Sequence, residues 1–298
     1  MKLLTHYLSS LQQSFPSIAN WRENSMNDSL FYSFRDTLYT RETYPSRLHY
    51  HDYYELVIVS QGDIQYLCEG EAYHPQRGDI ILIPPRKMHM SMIEKDETRY
   101  IRHVFYLYPD AFDSMGCSAL AAFLSAGDCF HAALEKENTE KLLSLLSQLE
   151  HALQKQEDAL EAALAQGLIL QIFYLLNTGR LQYPPKDGYL PENMRKIQRY
   201  LDENYGTIPS VSQVAEHFFY SREYLSRLFR QYFNTTVSDY LMKRRIARSQ
   251  QLISQGASLT DACFQAGFSS MSAFIRAFHA LTGLSPSAYR KMLQENSK

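Results

Sequence analysis

The chain has 298 residues, of which 45% are hydrophobic and 21% charged, a balance that fits a folded globular protein and excludes a disordered one. The length allows two domains, and the longest apolar run, Leu168 to Leu176, is broken by Gln171 and far too short to span a bilayer. The net charge of −2 argues against a nucleic-acid partner only until it is divided: residues from Pro191 onward hold 14 Lys and Arg against 8 Asp and Glu, and those before it 16 against 24. A basic module therefore follows an acidic one, as expected when one part of a chain meets phosphate.

The opening text, MKLLTHYLSSLQQSF, lacks a sustained apolar core and a small-residue cleavage site, so no signal peptide is predicted and the expected location is the cytoplasm. Cys68, Cys117, Cys129 and Cys263 form no CxxC pair, and scattered thiols of this kind are expected to be buried and reduced. Residues 1–40 carry little signal; Trp21 and the run Leu30 to Phe34 fit early strands or a short helix equally well.

From Tyr44 to Tyr108 the texture is β-rich. Leu56–Val59, Ile64–Cys68 and Ile80–Ile83 are short apolar runs punctuated by Gly62, Gly70, Gly78 and Pro84, a spacing that predicts a barrel or sandwich. The text HYHDYYE followed by Gly62, and GDIILIPPRKMH from Gly78 to His89, resemble the two motifs of cupin domains. In metal-binding cupins the matching positions are His49, His51, Glu55 and His89, a set suited to a divalent transition metal; here Arg86 and Lys87 stand where the enzyme pattern has a glycine, so no metal and no other cofactor is expected. Ten tyrosines crowd the same region: Tyr39, Tyr44, Tyr50, Tyr53, Tyr54, Tyr66, Tyr73, Tyr100, Tyr106 and Tyr108. Rings with hydroxyl handles suit sugars and other small polar molecules, although strand alternation turns about half of them elsewhere. The candidate effector-binding residues are Arg47, His49, His51, Tyr54, Glu55 and His89.

Between Asn138 and Asn177 the apolar period becomes helical. Leu142, Leu145, Leu146, Leu149 and Leu153 trace one stripe, and Leu160, Leu164, Leu168, Ile172 and Leu175 another. Residues 179–190, GRLQYPPKDGYL, read as a proline-stiffened linker.

The remainder contains one pattern twice. In SLTDACFQAGFSSMSAFIRAFHALTGLSPSAYR, from Ser258 to Arg290, a helix over Thr260 to Gln265 and another from Ser270 to about Leu281 flank a turn at Ala266, Gly267 and Phe268, where glycine supplies a positive φ. Phe274, Phe278 and Leu281 are expected to be buried, leaving Met271, Ser272, Ile275, Arg276 and His279 outside. At an offset of 49 residues, Leu225, Arg227, Phe229 and Tyr240 fall on Phe274, Arg276, Phe278 and Tyr289, and Asn234 falls on Gly283. Ser238 to Ser254 reads as a connecting helix with Leu241, Ile246 and Ile253 inside and Lys243, Arg244 and Arg248 exposed.

The sequence of GF, SAFIRAFH, TG, SP and AYR resembles the C-terminal signature of AraC/XylS-type transcriptional regulators. The resemblance implies seven helices carrying two helix-turn-helix units, each inserting one helix into the DNA major groove. It assigns base-facing positions to Arg222, Glu223, Ser226 and Arg227 in the first unit and to Met271, Ser272, Ile275 and Arg276 in the second. Arg230, Lys243, Arg244 and His279 suit phosphate, and Arg245 suits a tie between helices. It also implies homodimerisation through the helices after the barrel.

The expected fold is thus α+β and multidomain: a cupin-like β-barrel over 1–137, a helical dimer element over 138–178, a linker over 179–190 and an all-α double helix-turn-helix domain over 191–298. The expected function is a ligand-responsive, sequence-specific regulator with double-stranded operator DNA and a small polar, sugar-like effector as partners. RNA polymerase joins them if the protein is an activator, and no membrane does. The chain is not expected to be an enzyme. The alternatives are a metal-dependent cupin enzyme fused to a DNA-binding module, and a regulator whose N-terminal half only dimerises.

Overall fold

Alternation along the strands builds the first half of the molecule. The computed structural model describes residues 21–296 apart from 28, 41–42, 45, 94, 126, 155–158 and 185–189; the first twenty residues thus lie outside the described region. The chain divides into two compact units, one of residues 1–46 and 51–188, the other of 47–50 and 189–298.

In the first unit an antiparallel sheet runs in the order β1-β2-β8-β3-β6-β9-β10 and a smaller one in the order β5-β4-β7. The strands are β1 Trp21–Asn27, β2 Leu30–Tyr39, β3 Tyr54–Gln61, β4 Ile64–Cys68, β5 Glu71–Tyr73, β6 Ile80–Ile83, β7 His89–Ile93, β8 Thr98–Leu107, β9 Phe130–Leu134 and β10 Leu181–Gln182. Each strand of the large sheet sends alternate residues to opposite faces. Leu30 and Tyr32, Leu56 and Ile58, Ile80 and Leu82, and Phe105 and Leu107 join one core cluster. Phe31, Val57, Val59, Ile81, Ile83, Val104 and Tyr106 join another, shared with Ile64, Tyr66, Tyr73 and Ile93 of the small sheet. The second cluster is the barrel interior. The first is closed by two helices, α1 Lys136–Leu153 and α2 Ala159–Thr178.

Those helices correct part of the sequence reading. Leu142, Leu145, Leu146 and Leu149 of α1, with Leu168, Ile172 and Leu175 of α2, are core residues of the sheet-helix layer and have no surface left for a partner subunit. Leu160 and Leu164, on the same predicted stripe, are instead 80% and 49% exposed. By length and composition α2 could cross a membrane, yet the side bearing Ala165, Leu168, Ile169, Ile172 and Phe173 is packed in the core. The linker reading also shifts, since Leu181 and Gln182 pair with Leu134 and Ala133. Cys68 and Cys129, expected as separate thiols, form a disulfide between β4 and the segment before β9, while Cys117 and Cys263 are free. Their 61-residue separation hid this, because pairing across two sheets leaves no local spacing to read.

The second unit is helical: α3 Glu192–Asn204, α4 Val211–His217, α5 Arg222–Phe233, α6 Val237–Ser254, α7 Leu259–Gln265, α8 Met271–Thr282 and α9 Pro286–Asn296. Six begin alike, with a Ser or Thr side chain (Ser210, Ser221, Thr236, Ser258, Ser270, Ser285) accepting a hydrogen bond from the backbone N–H three residues on. Each cap satisfies a donor the helix cannot reach, worth about 1 kcal/mol. Asn234 and Gly283 close α5 and α8 in the left-handed conformation, φ 47° and 72°, so asparagine replaces glycine at little cost, as the repeat implied.

His103 in the first unit is buried and shares a 2.6 Å hydrogen bond with the Tyr32 hydroxyl. Burial pushes its pKa down to about 4. A folded pKa below the unfolded one makes the contribution complete above pH 6.5 and lost as pH falls toward about 4. The loss should amount to about 3 kcal/mol, read by denaturation of the full chain followed through Trp21 on β1, and His103→Gln should flatten the pH dependence over that window.

Candidate functional site

The two helix-turn-helix units present matched outer faces. In α5, Leu225, Phe229 and Phe233 are buried, whereas Arg222, Glu223, Arg227 and Arg230 are exposed and Ser226 half-buried. In α8, Phe274 and Phe278 are buried, with Ser272, Ile275, Arg276 and His279 exposed and Met271 half-buried. Every position of α5 and α8 assigned to DNA therefore lies away from the buried face. Leu281 does not follow its expected burial and is 41% exposed: the buried face ends where the Phe278 ring meets Tyr289 at 5.5 Å, and the last turn carries Leu281 past it. The Arg227 guanidinium lies over the Tyr224 ring at 5.5 Å, which restricts a long side chain without removing its charge.

The phosphate assignments on α6 are corrected. Arg244 is only partly exposed and bonds Asp202 at 2.7 Å, while Tyr240 bonds the same carboxylate; Arg248 donates to Gln251, and Lys243 is half-buried. The reason is packing: α6 touches the units on both sides, so a larger arc of it is covered than a two-faced helix would show. Arg245 behaves as a tie, donating to the carbonyls of Tyr205 (2.8 Å) and Ile208 (2.7 Å) beyond α3.

The two turns differ. Gly267 adopts φ +90°, and a Cβ placed on it would lie 2.5 Å from the Gly206 backbone. The equivalent turn of the first unit is one residue shorter, and Phe219 takes the glycine's place with φ +58° and its ring 97% exposed. The left-handed conformation costs a side-chain-bearing residue about 1 kcal/mol. Gly267→Ala should therefore destabilise the unit by about 2–4 kcal/mol through strain and overlap together, and Phe219→Gly should stabilise it by up to about 1 kcal/mol. Native-state hydrogen exchange of the α6 amides reads both signs.

The strand residues among the predicted effector set divide between the two faces of the sheet. Glu55 on β3 faces the barrel interior, where its Oε2 meets Nε2 of His51 (2.9 Å) and Nε2 of His89 (3.2 Å). Tyr54, one residue earlier, turns to the other face and packs against the sheet-helix cluster; Tyr53 is the tyrosine at the site, stacked on His51 at 4.1 Å. A one-residue step in a strand reverses the side, which the bare motif could not resolve. Arg47 is exposed, and it and His49 belong to the segment 47–50 that groups with the second unit; the His49 ring meets the Arg47 carbonyl at 2.8 Å.

Charge bookkeeping at Glu55 is informative. Nδ1 of His51 meets the Tyr53 carbonyl and Nδ1 of His89 the Lys87 carbonyl, at 2.8 and 2.9 Å. Carbonyls only accept, so both Nδ1 atoms carry hydrogen and a neutral ring turns an Nε2 lone pair toward the carboxylate. Burial raises the Glu55 pKa, but the hydrogen bonds from His51 and His89 outweigh it and hold it well below the usual range; burial lowers that of His51. With the rings protonated, Nε2–H donates to the carboxylate; with the rings neutral, the two Nε2 lone pairs and the carboxylate form a donor set, each imidazole oriented by a backbone carbonyl, that fits a divalent transition metal.

Sequence reasoning missed the interior residues of β2, β6, β8 and β9. Asp79 and His131 form a buried pair at 2.6 Å, and Arg35 and Arg102 are both buried on the inward faces of β2 and β8. Alternation with Tyr100, Val104 and Tyr106 marks Arg102 as inward, but only once the strand is known.

Known proteins match both units. The AraC-like ligand binding domain matches residues 35–173 and a helix-turn-helix domain matches residues 214–292. The HTH-type transcriptional activator RhaS of Shigella boydii is 24% identical over 246 residues, 82% of this chain and 87% of that protein, and RhaS of Escherichia coli shows the same identity and coverage. Among solved structures, ToxT of Vibrio cholerae aligns with 91% of this chain and 100% of its own at 17% identity and a TM-score of 0.35. The C-terminal domain of the response regulator yesN from Fusobacterium nucleatum aligns with 34% of this chain and 99% of its own, at 25% identity and a TM-score of 0.32. A ligand-binding sheet domain followed by paired helix-turn-helix units, each with its assigned helix face open to solvent, is the domain arrangement of the AraC/XylS family of transcriptional regulators, to which this chain belongs.

Proposed function

We propose that the protein is an effector-responsive, sequence-specific activator of transcription, not an enzyme, working in the cytoplasm on double-stranded operator DNA. The observation that carries this reading is the repeated amphipathic helix: α5 and α8 bury the same aromatic positions and leave the same polar positions in solvent. Each would enter a major groove through its N-terminal turns, with α6 setting a separation of about one DNA turn, roughly 34 Å. Arg227 and Arg276 would fork onto guanine O6 and N7, Met271 and Ile275 would meet thymine methyls, and Arg222, Glu223, Ser226 and Ser272 would line the same grooves. Arg230 and His279 would take phosphate. The name of the RhaS relatives favours activation, with RNA polymerase as the further partner.

The effector is proposed to bind inside the barrel beside His51, Glu55 and His89, in a chamber proposed among the tyrosines of the interior cluster. A small polyhydroxylated molecule suits rings that offer both a stacking face and a hydroxyl. Homodimerisation is assigned to the open side of α2, where Leu160, Leu164 and Tyr174 are exposed at spacings of four and ten residues, one stripe of the helix. Two copies would multiply affinity for paired half-sites. A second reading, favoured by the imidazole orientation around Glu55, gives that chamber a divalent metal; elemental analysis of the purified protein decides it.

Arg227→Ala and Arg276→Ala should each weaken specific binding by about 1–3 kcal/mol while relaxing preference at one base position, whereas Arg230→Ala should lower affinity for all sequences and reduce the salt slope by about one. Gel-shift titrations at several salt concentrations separate the two patterns. Leu160→Glu with Leu164→Glu should convert a dimer to a monomer in light scattering without lowering the stability of the first unit, because neither side chain belongs to its core.

A further inference from the structure

The interior face of the β2–β8 pair carries two guanidinium groups side by side. Arg35 and Arg102 are direct partners in the antiparallel register, so their Cβ atoms start about 5 Å apart on one face. Both are buried, at 9% and 7% exposure. Arg35 donates to Ser33 Oγ (3.3 Å) and to the Tyr106 hydroxyl (3.1 Å). Arg102 lies over the Tyr100 ring at 4.3 Å, and its Nη1 is a buried donor with no acceptor among the described residues. Like charges opposed in a ladder repel, and an ionised group withdrawn from water without a counter-charge is among the costliest features a core can hold.

The surroundings offer Arg102 no relief. The groups acting on it most strongly are the phenols of Tyr100, Tyr44, Tyr39 and Tyr66, which are neutral hydroxyls at physiological pH. Among the described residues, Glu55 is engaged by His51 and His89 and Asp79 by His131. Along the inward side of β2, two residues apart, follow Arg35, Thr37 and Tyr39, and the hydroxyls of Thr37 and Tyr39 are likewise buried without a partner. A cation and two hydroxyl donors on the inward side of one strand pair, bordered by the tyrosines of the interior cluster, supply the groups that an oxyanion needs.

We infer that Arg102, with Arg35 and the Tyr39 hydroxyl, holds the carboxylate of a small hydroxylated organic acid, and that this group belongs to the effector. The inference rests on the barrel being the effector site and adds the ligand's charge. A planar guanidinium fork matches the two oxygens of a carboxylate. The tyrosine walls then take the uncharged remainder of the molecule.

Acetate is the probe that reduces the ligand to this group. Melting of the full-length protein is followed through Trp21, in about 100 mM sodium acetate, chloride, phosphate or chloride plus acetamide at equal ionic strength, and a rise of about 3 °C specific to acetate is expected. Arg102→Met should melt higher than the parent without acetate, because an unpaired buried charge is replaced by a side chain of similar volume, and should lose the response. Tyr39→Phe should keep the fold and lose about half of it. An equal response to acetamide, a larger one to phosphate, or an acetate response retained in Arg102→Met would overturn the inference, as would a destabilised or unfolded Arg102→Met together with a full response in Tyr39→Phe. If neutral sugars raise the melting temperature and acetate does not, the barrel remains the effector site and its anionic character falls.

Discussion

The seven-stranded sheet is buried on both faces, and that constraint governs the N-terminal unit. One face must meet helices and can be uniformly apolar; the other meets the small sheet across the barrel interior and can carry chemistry. Because a strand alternates with a period of two, each inward Tyr, Arg or Glu has an outward Leu, Ile or Phe as neighbour. On β8, Tyr100, Arg102, Val104 and Tyr106 face in, while His103, Phe105 and Leu107 face the helix layer. The apolar half of each strand stabilises the sheet strongly enough to hold the charged half in place. Burying one leucine or phenylalanine side chain contributes about 1.5–3 kcal/mol, so the Leu56, Ile58, Ile80, Leu82, Phe105 and Phe173 cluster can carry the cost of the polar interior.

The C-terminal unit solves a different problem with short helices. Helices of seven residues are unstable alone, and α4 and α7 persist because a hydroxyl cap starts each and a left-handed residue follows each. Their partners α5 and α8 are then seated by aromatic residues: Phe229 packs on Phe233 and Tyr240, and Phe278 on Phe274 and Tyr289. With the aromatic side fixed in the core, the outward side has a defined direction. A face that must read base edges needs that definition more than it needs any one of its own residues.

Legibility in the sequence followed the distance over which a constraint acts. The strands at Ile64–Cys68 and Ile80–Ile83, the turn at Gly267 and the asparagine at 234 were readable, because turn chemistry and short apolar runs are local. Tyr54 was assigned to the wrong side because the motif sets spacing but not which parity faces inward. Arg244 was expected in solvent, since its partner Asp202 is 42 positions away on another helix. The Arg35–Arg102 opposition and the Cys68–Cys129 bond span comparable or greater separations, 67 and 61 residues, and exist only through strand pairing.

The large sheet ends in a strand of two residues. Leu181 and Gln182 cap β9 with one short ladder, and so little backbone is left in that strand that it offers another chain almost nothing to pair with. On the paired half-sites proposed above, two copies would lie close together on the same DNA. At that proximity a long bare margin would invite strand exchange between neighbours, and the two-residue β10 offers little of one at its end of the sheet.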